Sequence, residues 1–167
     1  TRWLSDWSSD VCSSDLDSLE KTVEYVDIET LLANADVISL HLPLNEENHH
    51  FMNESRFKKM RENAIIINTA RGELINTKDL IHALSTKQIL GAGLDVLEGE
   101  LGKFHHDLQS TTLEWDDYTI LKQLNNVILT HHFAFYTDQA VSDMVECSLI
   151  SLSKFYHQED NPWVIQS

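Results

Sequence analysis

Beyond residue 16, apolar runs of strand length alternate with stretches in which apolar residues recur at helical spacing. An extended piece, TVEYV at 22–26, meets Asp27, which can cap a helix over 28–35. The nearly continuous apolar run VISLHL at 37–42 predicts a buried strand, stopped by Pro43. A loop rich in Asn and Glu then leads to a short helix near 53–61. AIIINT at 64–69 reads as the next strand, and after ARGELIN, Thr77 is placed to cap a helix reaching about Lys87. ILGAGLDV at 89–96 predicts a third strand, followed by an aperiodic loop over 97–114. A helix near 115–124 and the strand NVILT at 126–130 continue the alternation. From 137 to 158, Val141, Met144, Val145, Leu149, Leu152 and Phe155 form one stripe of a long amphipathic helix, expected to pack on its own fold, with Cys147 as a small buried residue. Strands alternating with helices predict an α/β protein built on a doubly wound parallel sheet.

The first sixteen residues, TRWLSDWSSDVCSSDL, show no such period and repeat Ser-Ser-Asp. They read as an appended, non-native stretch outside the fold. The organisation expected is this segment at 1–16, an α/β domain at 17–135, and a C-terminal helix and tail at 136–167.

Composition changes the picture by exclusion. Twelve basic against 27 acidic residues give a net charge of −15, which repels nucleic-acid phosphates and anionic membranes. Two cysteines, Cys12 and Cys147, lack any metal-like spacing and fit a reducing cytoplasm. No apolar run approaches the roughly 20 residues needed to cross a bilayer. Three His-His pairs, at 49–50, 105–106 and 131–132, match no zinc spacing, and adjacent histidines are expected to point apart, so no metal site is assigned.

Candidate chemistry gathers where strands end. Arg71 follows AIIINT, Glu98 and Glu100 follow GLDV, and His132 follows NVILT. In an open parallel sheet the carboxyl ends of the strands converge on the ligand crevice. There an arginine can grip a carboxylate bidentately, a histidine can exchange a proton near neutral pH, and a carboxylate can orient the ring. From the residues alone, either glutamate can take the last role.

DVISLHLPL, NTARGELIN, GAGLDVLEGE and NVILTHHFAFYTDQAV, in this order over about 22–158, resemble the D-isomer-specific 2-hydroxyacid dehydrogenases. LDVLEGE with FAFYT is similar to the D-lactate and vancomycin-resistance branch. The resemblance implies a Rossmann-type NAD-binding fold with Arg71 holding the substrate, Glu100 orienting the histidine and His132 as acid/base. It further implies that Leu42, Pro43, Asn48, Thr69, Ala70 and Asp95 face the cofactor, NAD or NADH, and that Phe135 lines the substrate pocket. It implies reduction of a small 2-oxo acid such as pyruvate by a cytoplasmic homodimer. A glyoxylate or hydroxypyruvate reductase and a non-catalytic binding module on the same fold are the alternatives.

Two departures stand out. The family usually places proline before the catalytic histidine, where this chain has His131, and that proline's fixed φ is lost. The five glycines, at 72, 91, 93, 99 and 102, form no G-x-G-x-x-G turn and no acidic residue follows at the NAD-selecting distance, so the pyrophosphate-gripping unit is missing. The sheet is expected to be truncated on its N-terminal side, with the 37–42 strand left at an edge.

Overall fold

The computed structural model describes residues 24–101, 103 and 115–161. Its elements run in the order α1 (Ile28–Asn34), β1 (Val37–Leu40), α2 (Glu54–Phe57), β2 (Ile65–Asn68), a 3-10 turn (Gly72–Leu74), α3 (Thr77–Ser85), β3 (Gly91–Leu94), α4 (Asp116–Gln123), β4 (Val127–Leu129) and α5 (Asp138–His157). The four strands form one parallel sheet in the order β1-β2-β3-β4, with Ile66 opposite Ile38 and Ala92, and Leu94 opposite Leu129. Parallel strands need crossover connections, and the helical segments between strands provide them. Among the described residues β1 ends the sheet, and Val37 is exposed there.

The apolar pattern finds its purpose in one core. Ile38 and Leu40 of β1, Ile66 of β2 and Leu94 of β3 pack with Leu31 and Leu32 of α1, Phe57 of α2, Leu80 and Leu84 of α3 and Leu121 of α4. At about 25 cal/mol per Å² of apolar surface removed from water, each such side chain contributes roughly 1.5 to 3 kcal/mol.

Local signals place most helix starts. The Asp27 carboxylate accepts the Thr30 N–H at 2.9 Å and so caps α1. Thr77 is not the cap of α3. Asn76 takes that place, its Oδ1 accepting the Asp79 N–H at 3.2 Å, while Thr77 is buried and its own N–H donates to Glu98. The strands are shorter than their apolar runs because His41, Thr69 and Asp95 have left the paired ladder to build the loops beyond it. The TVEYV piece is not extended strand where it is described: 24–27 has no regular structure, and 22–23 lie outside the described residues. Most of the 97–114 loop, the pair at 105–106 and the first sixteen residues also lie outside them.

Contacts divide the chain into two units, meeting between His132 and Phe133. The second unit carries α5, capped by the Thr137 hydroxyl and closed by Gln158 in the left-handed conformation. No residue of α5 is buried. Within this unit the apolar stripe is uncovered: Met144, Leu149, Leu152 and Phe155 are exposed, and Cys147, expected to be buried, is exposed as well. The described part of this unit holds no second element against which they could be covered.

Candidate active site

The site is built where β2, β3 and β4 end. Asn68, the last residue of β2, is 1% exposed and spends its whole amide on the turn that follows. Its Nδ2 donates to the Arg71 carbonyl at 2.8 Å and its Oδ1 accepts the Ala70 N–H at 3.1 Å. Asp95, one residue beyond β3, joins this corner to the next strand. Its N–H donates to the Asn68 carbonyl at 2.9 Å, its carbonyl accepts the His132 N–H at 2.7 Å, and its carboxylate accepts the Thr130 hydroxyl. A continuous set of hydrogen bonds thus runs from the Arg71 backbone through Asn68 and Asp95 to His132.

His132 is held through both its backbone and its ring. Its φ of +60° places it in the left-handed region, which costs a residue with a side chain about 1 kcal/mol. Its N–H is tied to Asp95, and its Nδ1–H donates to Glu100 Oε1 at 2.7 Å. The second Glu100 oxygen accepts the Leu97 N–H at 2.7 Å, which closes the 97–100 turn. The Glu100 side chain is 10% exposed and that of His132 35%, so the carboxylate sits inside and the ring edge reaches outward. A carboxylate on Nδ1 fixes the ring's orientation and assigns proton exchange to Nε2.

The two glutamates serve different histidines. Gly99 between them has φ +74°, a conformation that side-chain-bearing residues rarely adopt, and the turn sends Glu98 to another loop. Glu98 Oε1 accepts from His50 Nε2 at 2.6 Å and its Oε2 accepts the Thr77 N–H at 3.2 Å. Burial pushes the Glu98 carboxyl up, but the bonds from His50 and from Thr77 outweigh it and hold it below its usual range. Glu98 is therefore no mere solvated charge.

Arg71 is exposed, its guanidinium donating to the Ala70 carbonyl at 2.7 Å. The next residue explains why its loop lies where it does. A Cβ on Gly72 would stand 2.1 Å from the Leu97 carbonyl carbon and 2.3 Å from the Glu98 nitrogen, so the turn carrying Arg71 rests directly on the backbone that carries both glutamates.

The other sequence-derived positions lie in the loops beyond β1 and β2 and in the second unit. Leu42 is buried beyond β1, while Pro43 and Thr69 are exposed and Ala70 is half-buried. Asn48 braces its own loop, donating to the Pro43 carbonyl at 2.6 Å and accepting the Asn45 N–H at 2.8 Å. Phe135 belongs to the second unit, 45% exposed in the turn before α5. Sequence reading missed Asn68, Thr130 and His50. The visible signal for Asn68 was a polar amide ending an otherwise apolar strand; that for His50 was its pairing with His49, which was weighed only as a metal site.

One premise about the histidine pairs is corrected. The His49 and His50 rings lie side by side, centroids 3.9 Å apart, and ligating atoms of His49, His50 and Glu98 fall within 4.8 Å of one another. His50 is committed on both nitrogens, however. Asn76 Nδ2, 3.4 Å away, faces Nδ1, and the amide's oxygen is used in capping α3, so the ring proton sits on Nε2 toward Glu98. The arrangement reads as an imidazole–carboxylate pair.

Comparison with known proteins gives this geometry a setting. The family profile "D-isomer specific 2-hydroxyacid dehydrogenase, NAD binding domain" matches residues 8–134. The chain is 44% identical over 138 residues to a D-lactate dehydrogenase of Lactiplantibacillus plantarum, covering 82% of this chain and 42% of that protein. It is 41% identical over 133 residues to an aromatic 2-oxoacid reductase of Clostridium sporogenes, covering 80% and 40%. Its fold matches the crystal structure of Lactobacillus jensenii D-lactate dehydrogenase with NAD+ at a TM-score of 0.87 and 33% identity, covering 99% of this chain and 47% of that one. The chain thus spans about two fifths of the length of the curated relatives it matches. With the profile covering most of its residues, the chain belongs to the D-isomer-specific 2-hydroxyacid dehydrogenase family, through that family's NAD-binding domain.

Proposed function

We propose that this chain is the catalytic-residue-bearing part of a longer NAD-dependent D-2-hydroxyacid dehydrogenase that reduces a small 2-oxo acid. The observation that carries this is the His132–Glu100 pair, 2.7 Å long and seated at the strand ends one turn of backbone from Asp95.

The residues present suit the nicotinamide end of the cofactor. Beyond the ends of β1 and β2 the chain continues into Leu42, Pro43, Thr69 and Ala70, uncharged residues against which an aromatic ring can lie, and Asp95 is tied to the last residue of β2. Bound there, NADH supplies the hydride that reduces the keto carbon. The chain's own residues do the rest. Arg71 holds the substrate carboxylate and polarises the carbonyl. His132, protonated, gives its Nε2 proton to the oxygen that becomes the hydroxyl, while Glu100 keeps Nδ1–H oriented and stabilises the imidazolium. In the oxidative direction neutral His132 takes that proton back. Asn48 shapes the loop on the cofactor side, and the complete protein works as a cytoplasmic homodimer.

Pyruvate and an aromatic 2-oxo acid are the favoured substrates, the named activities of two relatives at similar identity. Glyoxylate or hydroxypyruvate is the alternative within the same chemistry. A non-catalytic binding module is disfavoured by the intact His132–Glu100 pair, which such a module has no need to keep. The deciding experiment assays the full-length protein with NADH and each of pyruvate, phenylpyruvate and glyoxylate. Reduction to a D-hydroxy acid is expected. NADH binding without turnover of any 2-oxo acid would favour the binding module.

A further inference from the structure

His132 needs its backbone held in an unfavourable conformation, and the strand ends supply two restraints: Asp95 takes its N–H and Glu100 its ring. On the preceding side stands His131, beyond the end of β4 and exposed. Its ring is reached from α4. Tyr118 Oη and His131 Nε2 share a hydrogen bond of 2.9 Å, with ring centroids 6.0 Å apart. Tyr118 stacks on Trp115 at 5.2 Å and 19°, and Trp115 is 7% exposed in the core. A rigid path therefore leads from the core through two stacked rings to the residue before His132.

We infer that Tyr118 and His131 are positioning residues: their hydrogen bond anchors the peptide preceding His132 and keeps the left-handed turn, and with it the pairing to Glu100, in place. A proline at 131 would hold that peptide through its own ring, with φ fixed covalently. Here a side-chain tether from α4 does the holding. The catalytic relevance of the inference rests on the proposed role of His132, but its physical content does not.

The test uses the full-length protein and no substrate. Tyr118→Phe keeps both stacked rings and removes only the hydroxyl. In this variant amide hydrogen exchange at His132 should quicken by about tenfold, as expected for loss of a restraint worth one hydrogen bond. The His132 ring nitrogens should lose the single-tautomer signature that the Glu100 bond imposes. The Ile66 amide, in the middle of the sheet, should exchange as before. Adding His131→Pro to Y118F should restore slow exchange and the tautomer signature. Unchanged exchange at His132 in Y118F would overturn the inference. So would equal acceleration at Ile66, which would make Tyr118 a general packing residue. A catalytically silent His132 in the full-length protein would instead sink the proposed function and leave these measurements as they stand.

Discussion

Gly72→Ala is the change that should damage the site most for the fewest atoms. The added methyl would stand 2.1 Å from the Leu97 carbonyl carbon, 2.3 Å from the Glu98 nitrogen and 2.4 Å from the Leu97 oxygen. Carbon atoms pack at about 3.5 to 4.0 Å, so the two backbones must part by more than an ångström. All three clashing atoms are main chain, and no rotamer change relieves them. The 97–100 turn that must move carries the Glu98–His50 bond of 2.6 Å and the Glu100–His132 bond of 2.7 Å, neither of which survives a displacement that large. Overpacking of this kind costs about 2 to 3 kcal/mol. For a domain of this size that lowers Tm by roughly 4 to 12 °C. Urea unfolding followed by circular dichroism should show the midpoint fall with an unchanged slope, and the His132 ring should lose its fixed tautomer in nitrogen NMR. A G72A protein within about 0.5 kcal/mol of the wild type, the ordinary range for a surface change, would refute the close approach of the two turns.

Other substitutions probe the same corner. Asn68→Ala strips two hydrogen bonds from a buried turn and should cost about 2 kcal/mol in urea unfolding, with Arg71 released from its fixed loop. Glu98 is held below its usual range, so its contribution is present at neutral pH and is lost as pH falls through its lowered value. Glu98→Gln should therefore lower Tm at pH 7 and match the wild type near pH 3, read by thermal scans across that span. A constant difference at all pH values would contradict the pairing with His50.

Much of this architecture was visible before any coordinates. The strands at 37–40, 65–68, 91–94 and 127–129 lie inside the apolar runs that announced them, although burial is one-sided in β1 and β2, where Ile38, Leu40 and Ile66 face the core, and Ile128 of β4 is exposed. The Glu100–His132 pairing was legible through the order of motifs, not through either residue alone. The corrections came where tertiary contacts outrank local propensity. Thr77 has the chemistry of a cap, but its N–H goes to Glu98, twenty-one residues away, and Asn76 caps instead. The stripe on α5 has the period of a packed helix, yet a period says only that a face is apolar and not what covers it. Adjacent histidines suggested diverging rings, but the two lie side by side, with His50 at positive φ and its ring held by Glu98. Asn68 escaped notice because its work is done on backbone groups of residues whose positions only the fold reveals.

The most direct test of the central claim is the steady-state rate of NADH-dependent pyruvate or phenylpyruvate reduction by the full-length protein, compared with its His132→Asn and Glu100→Gln variants. General acid–base catalysis contributes about 10²- to 10⁴-fold. A loss of kcat of about a thousandfold in H132N, a smaller loss in E100Q and little change in KM for NADH in either are the predicted result; an H132N enzyme retaining near wild-type kcat would contradict the assignment of His132 as the proton carrier.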